Sequence, residues 1–316
     1  MARLPSRQYN DSVSASKSPS STGTDVIVVG GGPAGLAAGI HLSRAGYRTL
    51  LVEKGQFGGQ AGRIDWIENY PGFPAGIKGA DLMALWLAQA RRWGLKCLRA
   101  QVSGLVRQSS FFRIILPNGR RLRCRAVLCC AGAEFKRLGL SGEDGFLGRY
   151  VHHAAFDEAP RFRNKVVAVV GAGEAALHQA LLLAKFARRV HLLSRGPTIK
   201  AHRLLKSRMT RRPNLIHSPN MTVEKIDGHR RLERIVVRDR VSGLHKSLDV
   251  SGLFVLIGKQ KSTFPSGKAK GPGYFVAGDA SGDICRQVVV AAGSGVQAAM
   301  ECIRYLEGWS NPHENS

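Results

Sequence analysis

Six cysteines stand in 316 residues, Cys97, Cys124, Cys129, Cys130, Cys285 and Cys302, and no two are spaced C-x-x-C. That pattern excludes a thioredoxin-like redox pair, a zinc site of the usual spacing and a secreted disulfide framework, and it fits the reducing cytoplasm. No uninterrupted apolar run reaches the ~18 residues of a membrane span. The Ser-rich, basic start "MARLPSRQYNDSVSASKSPSSTGT" has no apolar core for a secretory signal and reads as a disordered tail over 1–23, with a shorter tail over 309–316. Acid is scarce: 22 Asp and Glu stand against 47 Lys and Arg, a net charge of +25, and Lys185 to Arg212 holds no acid at all. Such a stretch is either a solvated surface or a docking face for an anion, such as an acidic electron carrier or a phosphorylated cofactor. Aromatics make up 7% and are not interleaved with the bases, so no nucleic-acid partner is expected.

Two glycine loops carry the chemistry. "DVIVVGGGPAGLAAGIHLSRAGYRTLLVEK" places Gly30, Gly32 and Gly35 between an apolar strand and a helix, with Pro33 and Ala34 inside the loop. Gly30 serves the tight turn, Gly32 lets a pyrophosphate approach the backbone, and Gly35 lets helix and strand pack closely. The pyrophosphate would rest on the free N–H groups of the helix N-terminus. Glu53, followed by Lys54, ends the second strand, where a carboxylate accepts hydrogen bonds from ribose hydroxyls.

"KVVAVVGAGEAALHQALLLAKFARRVHLLSRG" repeats the plan with Gly171, Gly173, Glu174, Ala175 and Ala176. Here Ser194 and Arg195 follow the second strand and no acid does, with Lys200, His202 and Arg203 nearby. A guanidinium in that place suits the extra phosphate of NADP better than the free ribose of NAD. Two loops of different character point to one bound flavin dinucleotide and one exchangeable nicotinamide.

The run "FGGQAGRIDWIENYPGFPAGIKG" and the later "YFVAGDASGDICRQVVVAAGSGVQAAMECIRYL" resemble the low-molecular-weight thioredoxin reductase family over about residues 24–308. The resemblance implies an α/β fold of two Rossmann-like, three-layer ββα domains. The FAD domain would be discontinuous, 24–137 and 254–308, with the NAD(P)-binding domain inserted at 138–253. It further implies FAD contacts from Gly59, Gln60, Asn69, Val102, Ala131, Gly132, Gly278, Asp279, Arg286, Gln287 and Val288, and a homodimer. Asp279 would hold a ribityl hydroxyl, and Arg286, Gln287 and Val288 would line the pyrimidine side.

The chain departs from the family where C-x-x-C-D is expected, before the second glycine loop. It has His153-Ala154-Ala155-Phe156-Asp157 there, so a thiolate cannot attack the flavin and no partner thiol can close a disulfide. Phe156 is expected against the flavin or in the inner sulfur's space. His153 and Asp157 are candidate proton donors, or ordinary loop residues. Cys285 is the candidate replacement thiol, and adjacent Cys129 and Cys130 could form a vicinal pair. One of the family's three phosphate-binding arginines is kept as Arg195, one is Gly196 and one is Lys200, so NADP affinity is expected to be weak or absent. The segment before Gly278 is shorter than in the family. Two functions follow: an FAD-dependent NAD(P)H oxidoreductase with a non-dithiol acceptor, or a catalytically silent flavin-holding sensor with a degenerate nicotinamide site.

Overall fold

The computed structural model describes residues 23–156, 158–262, 264, 269, 271–282 and 286–308. Apart from Gly23, both expected tails lie outside the described residues, as do Asp157 and Cys285.

The chain opens with β1 (Val26–Val29), α1 (Pro33–Arg44), β2 (Thr49–Glu53), α2 (Gly79–Arg92) and β3 (Lys96–Arg99). It continues with β4 (Gly104–Arg107), β5 (Phe112–Ile115), β6 (Arg121–Cys124), β7 (Ala126–Cys129) and β8 (Ala133–Phe135). Then come α3 (Glu143–Phe146), β9 (Val151–His152), β10 (Val166–Val170), α4 (Glu174–Leu183), β11 (Arg189–Leu193), α5 (Arg203–Thr210) and β12 (Leu215–Ser218). The remainder is β13 (Met221–Asp227), β14 (Arg234–Asp239), β15 (His245–Asp249), β16 (Gly252–Val255), β17 (Lys259–Lys261), β18 (Tyr274–Val276) and α6 (Val288–Glu307).

Two parallel five-stranded sheets result, in the orders β18-β7-β1-β2-β3 and β12-β11-β10-β16-β9. Parallel strands are covered on both faces, which is why "VIVV" and "VVAVV" are unbroken apolar runs. Alternation sorts the side chains to the two faces. In the first sheet Val26, Val28 and Leu51 pack with the helices, while Ile27, Val29, Leu50 and Val52 meet the antiparallel sheet β4-β5-β6 through Phe112 and Ile114. In the second, Val167, Val169 and Phe254 face α4 and α5, while Ala168, Val170 and Val255 face the sheet β13-β14-β15. These are the two three-layer halves that the family resemblance implies. Strand β16 straddles the division expected at 253/254 and pairs with β10 and β9, so the chain leaves the second sheet after Val255.

Both crossings between the halves run together. β8 and β17 form an antiparallel ribbon that pairs Phe135 with Lys259. The halves also touch through Arg208, whose guanidinium donates to both oxygens of Glu68 at 3.0 and 3.2 Å, and through Lys185, 4.0 Å from Asp65.

Burial gives the fold a predictable acid response. His152, 6% exposed, stacks on Phe254 at 5.3 Å and meets Phe162 edge-on at 5.7 Å. Its Nε2 has no hydrogen-bond partner. Burial first of all holds its pKa below the ordinary histidine value, and the same cause acts on His178, His191 and His217. The unfolded chain therefore binds protons first as pH falls below ~6.5, and stability present above that value is lost on acidification. For His152 the loss approaches ~1.4 kcal/mol per pH unit while the folded ring stays neutral. Urea unfolding at about pH 7 and about pH 5.5 should show a shallower pH slope in His152→Phe than in the natural chain.

Candidate active site

The first glycine loop is built as a cradle. Gly30 has φ of +107°, and a Cβ there would stand 2.1 Å from the carbonyl oxygen of Cys130. A Cβ on Gly35 would stand 1.8 Å from the Gly30 carbonyl oxygen, whereas Gly32 has open space where its Cβ would be. α1 starts with Pro33 and has no side-chain cap, so its first N–H groups point outward unsatisfied. Ala34 touches the far end of the fold: a Cβ on Gly278 would lie 2.8 Å from its Cβ, and one on Gly295 would lie 2.1 Å from its carbonyl oxygen.

Glu53, expected at the ribose, bonds within its own loop. One oxygen accepts the Gly31 N–H at 2.6 Å and the other the Gly55 N–H at 2.7 Å, so the carboxylate holds the loop in shape. Lys54 is exposed beside it. Gly59 lies against Gly32, and Gln60 donates to the carbonyl oxygen of Ala133 at 2.8 Å. Val102 is buried on the face of the first sheet that meets β4-β5-β6, and Ala131 and Gly132 follow β7, the latter with open space beside it. Asn69 donates to Gln287 at 2.9 Å, joining two segments of the chain that are far apart in sequence. Gln287 precedes Val288 at the start of α6, a second helix N-terminus without a side-chain cap.

Asp279 lies beneath this end. It is 3.7 Å from the Lys259 ammonium and 4.0 Å from the Arg286 guanidinium, which also donates to the Lys259 carbonyl oxygen. Burial depresses the Lys259 pKa first of all, and Asp279 opposes that shift. Lys259 sits over the Phe135 ring at 5.1 Å, and Phe135 stacks on His153 at 5.4 Å, 4° from parallel. Neither Lys259 nor Phe135 is visible as a site residue in the sequence; the ribbon β8-β17 brings them together.

The second loop follows the same physics. Gly171 has φ of +149° and a Cβ there would lie 2.4 Å from the Leu256 carbonyl oxygen. Gly173 has open space, α4 has no side-chain cap, and Ala175 is exposed in the first turn. Glu174 stands 3.3 Å from His202. The Lys200 N–H donates to the Ala172 carbonyl oxygen at 2.6 Å, laying the 196–200 segment across the loop. Arg195 and Lys200 are both exposed, and the Arg240 guanidinium donates to the Arg195 carbonyl oxygen at 2.9 Å. Arg240 gives no signal in the sequence, because it comes from the β14–β15 turn, far along the chain.

The segment between the cradles is packed rather than poised. His153 bonds through Nδ1 to the Val255 carbonyl oxygen at 3.1 Å. The Ala155 N–H donates to buried Gln179. Phe156 packs half-buried against the core beside α4, its ring 6.4 Å from that of His178. The five described cysteines are free, Cys129 and Cys130 included, so no vicinal bond joins them. Cys97 is half-buried and the other four are buried. Burial raises every one of their pKa values, that of Cys302 to about 12, so none is a thiolate at neutral pH.

The pattern of the pyridine nucleotide-disulphide oxidoreductases matches residues 24–303. Thioredoxin reductase of Treponema pallidum is 32% identical over 306 residues, 92% of this chain and 99% of that protein. That of Mycolicibacterium smegmatis is 33% identical over 307 residues, 92% of this chain and 98% of the relative. The chain belongs to the low-molecular-weight thioredoxin reductase family. Among solved structures, Lactococcus lactis thioredoxin reductase in its FR conformation superposes with a TM-score of 0.86 at 25% identity, covering 90% of this chain and 99% of that one. Membership implies FAD and a pyridine nucleotide, and the first cradle fits such a group: an uncapped helix, open space at Gly32 and Gly132, and a carboxylate at the end of β2. No helix among the described residues is long and apolar enough to cross a membrane.

Proposed function

We propose that this thioredoxin reductase relative oxidises NADPH, in preference to NADH, and passes the electrons from its flavin to an acceptor other than a protein dithiol. The observation that carries the reading is the segment His153 to Phe156, sulfur-free and committed to packing and backbone contacts. FAD would be held by the Gly30–Gly35 loop and Glu53 at its adenosine half and by Asn69, Asp279, Arg286, Gln287 and Val288 at its flavin half. When bound it supplies hydride acceptance and the release of electrons singly or in pairs.

The chain's own residues orient the two dinucleotides and handle protons. His153, donating from Nδ1 to Val255, keeps Nε2 free to take up a proton in the neutral ring. Asp157 is the second candidate for that task. Arg195, Arg240 and Lys200 would hold the 2′-phosphate of NADPH, Arg240 taking over from the arginine replaced at Gly196. The acid-free stretch Lys185 to Arg212 suits an acidic one-electron carrier, whose capture would weaken as salt rises. The working form is a homodimer in the cytoplasm, on the plan of the family.

Steady-state kinetics test the nucleotide assignment. Arg195→Ala and Arg240→Ala should each raise KM for NADPH about tenfold with kcat unchanged, and leave KM for NADH unchanged. Equal effects on both nucleotides would place the phosphate elsewhere. The acceptor assignment is tested by offering thioredoxin and ferredoxin-type carriers to the NADPH-reduced protein; brisk thioredoxin turnover would sink it.

A further inference from the structure

A cleft of about 590 Å³ opens between the two halves, away from both glycine loops. One wall is the 65–68 segment of the first half, and the other is the outer side of α4 with α5 and the residues just after it. His178, Leu181 and Leu182 lie four to eight residues past Glu174, ~6–12 Å along the helix from the loop that faces a dinucleotide.

The lining divides into a charged rim and an apolar wall. On the rim, Glu68 is taken by Arg208 and Asp65 faces Lys185, so both carboxylates are already matched by a cation. Arg211 and Arg212 also line the cleft, and neither pairs with a carboxylate among the described residues. The rim therefore keeps two positive charges in excess, on guanidinium groups that grip paired oxygens in a fork. The apolar wall is Leu181, Leu182 and Leu205, with Trp66, 41% exposed, opposite. Trp66 is held in place: a Cβ on Gly76 would stand 2.3 Å from its Nε1.

We propose that this cleft is a binding site for a small aromatic dianion, its ring between Trp66 and the leucines and its charges on Arg211 and Arg212. Because its walls belong to different halves of the chain, an occupant bridges them and favours the arrangement in which Arg208 meets Glu68. The inference is independent of how electrons leave the flavin.

Calorimetry on the intact flavin-loaded protein, with phthalate and inorganic phosphate as probes, tests it. Phthalate should bind saturably and more tightly than phosphate. The exposed pair change Arg211→Gln with Arg212→Gln should weaken phthalate about a hundredfold, one decade for each charged contact. Trp66→Ala should weaken phthalate about tenfold and leave phosphate unchanged. Hydrogen exchange should show phthalate protecting residues 64–68 and 203–212 together. Saturable binding that survives the double arginine change, protection of one wall only, or no saturable heat from phthalate would each overturn the proposal.

Discussion

Gly35→Val will abolish flavin retention and strongly destabilise the fold. The Cβ position at Gly35 is 1.8 Å from the Gly30 carbonyl oxygen and 3.4 Å from Leu51, so the clash is with backbone and no rotamer relieves it. α1 would have to move off β1, and it is wedged from the other side, where Gly295 of α6 already lies on Ala34. A shift of α1 carries away the N–H groups that would face the pyrophosphate and opens the core around Leu36 and Leu42. The expected loss is ~3 kcal/mol or more, read by urea unfolding, with colourless protein after desalting. Gly32→Ala makes the contrast: its Cβ meets nothing within the protein. That variant should fold normally and lose flavin only, because the added methyl stands where a ligand would.

Asp279→Ala will weaken flavin binding about a hundredfold while leaving the fold intact. The carboxylate stands between the half-buried Lys259 ammonium and the Arg286 guanidinium, and its removal leaves two like charges facing each other. Lys259 would lose the partner that opposes its burial, so its pKa should drop further. Arg286 and the Gln287–Asn69 contact at the start of α6 depend on that arrangement. Flavin affinity should fall about a hundredfold, the loss of one charge-assisted contact plus a disordered cationic pair, with little change in the urea midpoint. Unchanged affinity would remove Asp279 from the flavin's ribityl side.

Much of this architecture is legible in the sequence, and the reason is local. The strands "VIVV" and "VVAVV" are buried on both faces, so their apolar runs are continuous, and each glycine loop announces a turn that tolerates no side chain at Gly30 or Gly171. The remainder depends on segments distant in the chain. Arg240 reaches Arg195 because the Met221 N–H bonds to the Ser194 carbonyl oxygen and the Arg240 N–H to that of Asn220, and nothing in its own neighbourhood marks it. Phe135 and Lys259 meet through a ribbon made of the two crossings, which spacing along the chain does not encode. Gln179 looks like an ordinary helix residue until its side chain is found holding the backbone of Ala155. The family plan puts the division at 253/254, while the apolar stretch Gly252–Val255 obeys the sheet it pairs with.

The same distinction governs the segment His153 to Phe156. Its sequence holds no sulfur, and its groups are engaged elsewhere: an imidazole on a carbonyl, a ring packed against the core, a backbone N–H held by Gln179. The described cysteines do not compensate, being shielded from water and held protonated at neutral pH.

Anaerobic titration with NADPH, followed by the visible flavin band and by thiol counting in denaturant before and after, tests the central claim most directly. A flavin beside a redox disulfide takes up four electrons, two of which appear as new thiols, whereas a flavin alone takes up two. The account predicts complete bleaching at one NADPH per flavin with no new thiol. Uptake of a second equivalent, with two thiols appearing, would contradict it.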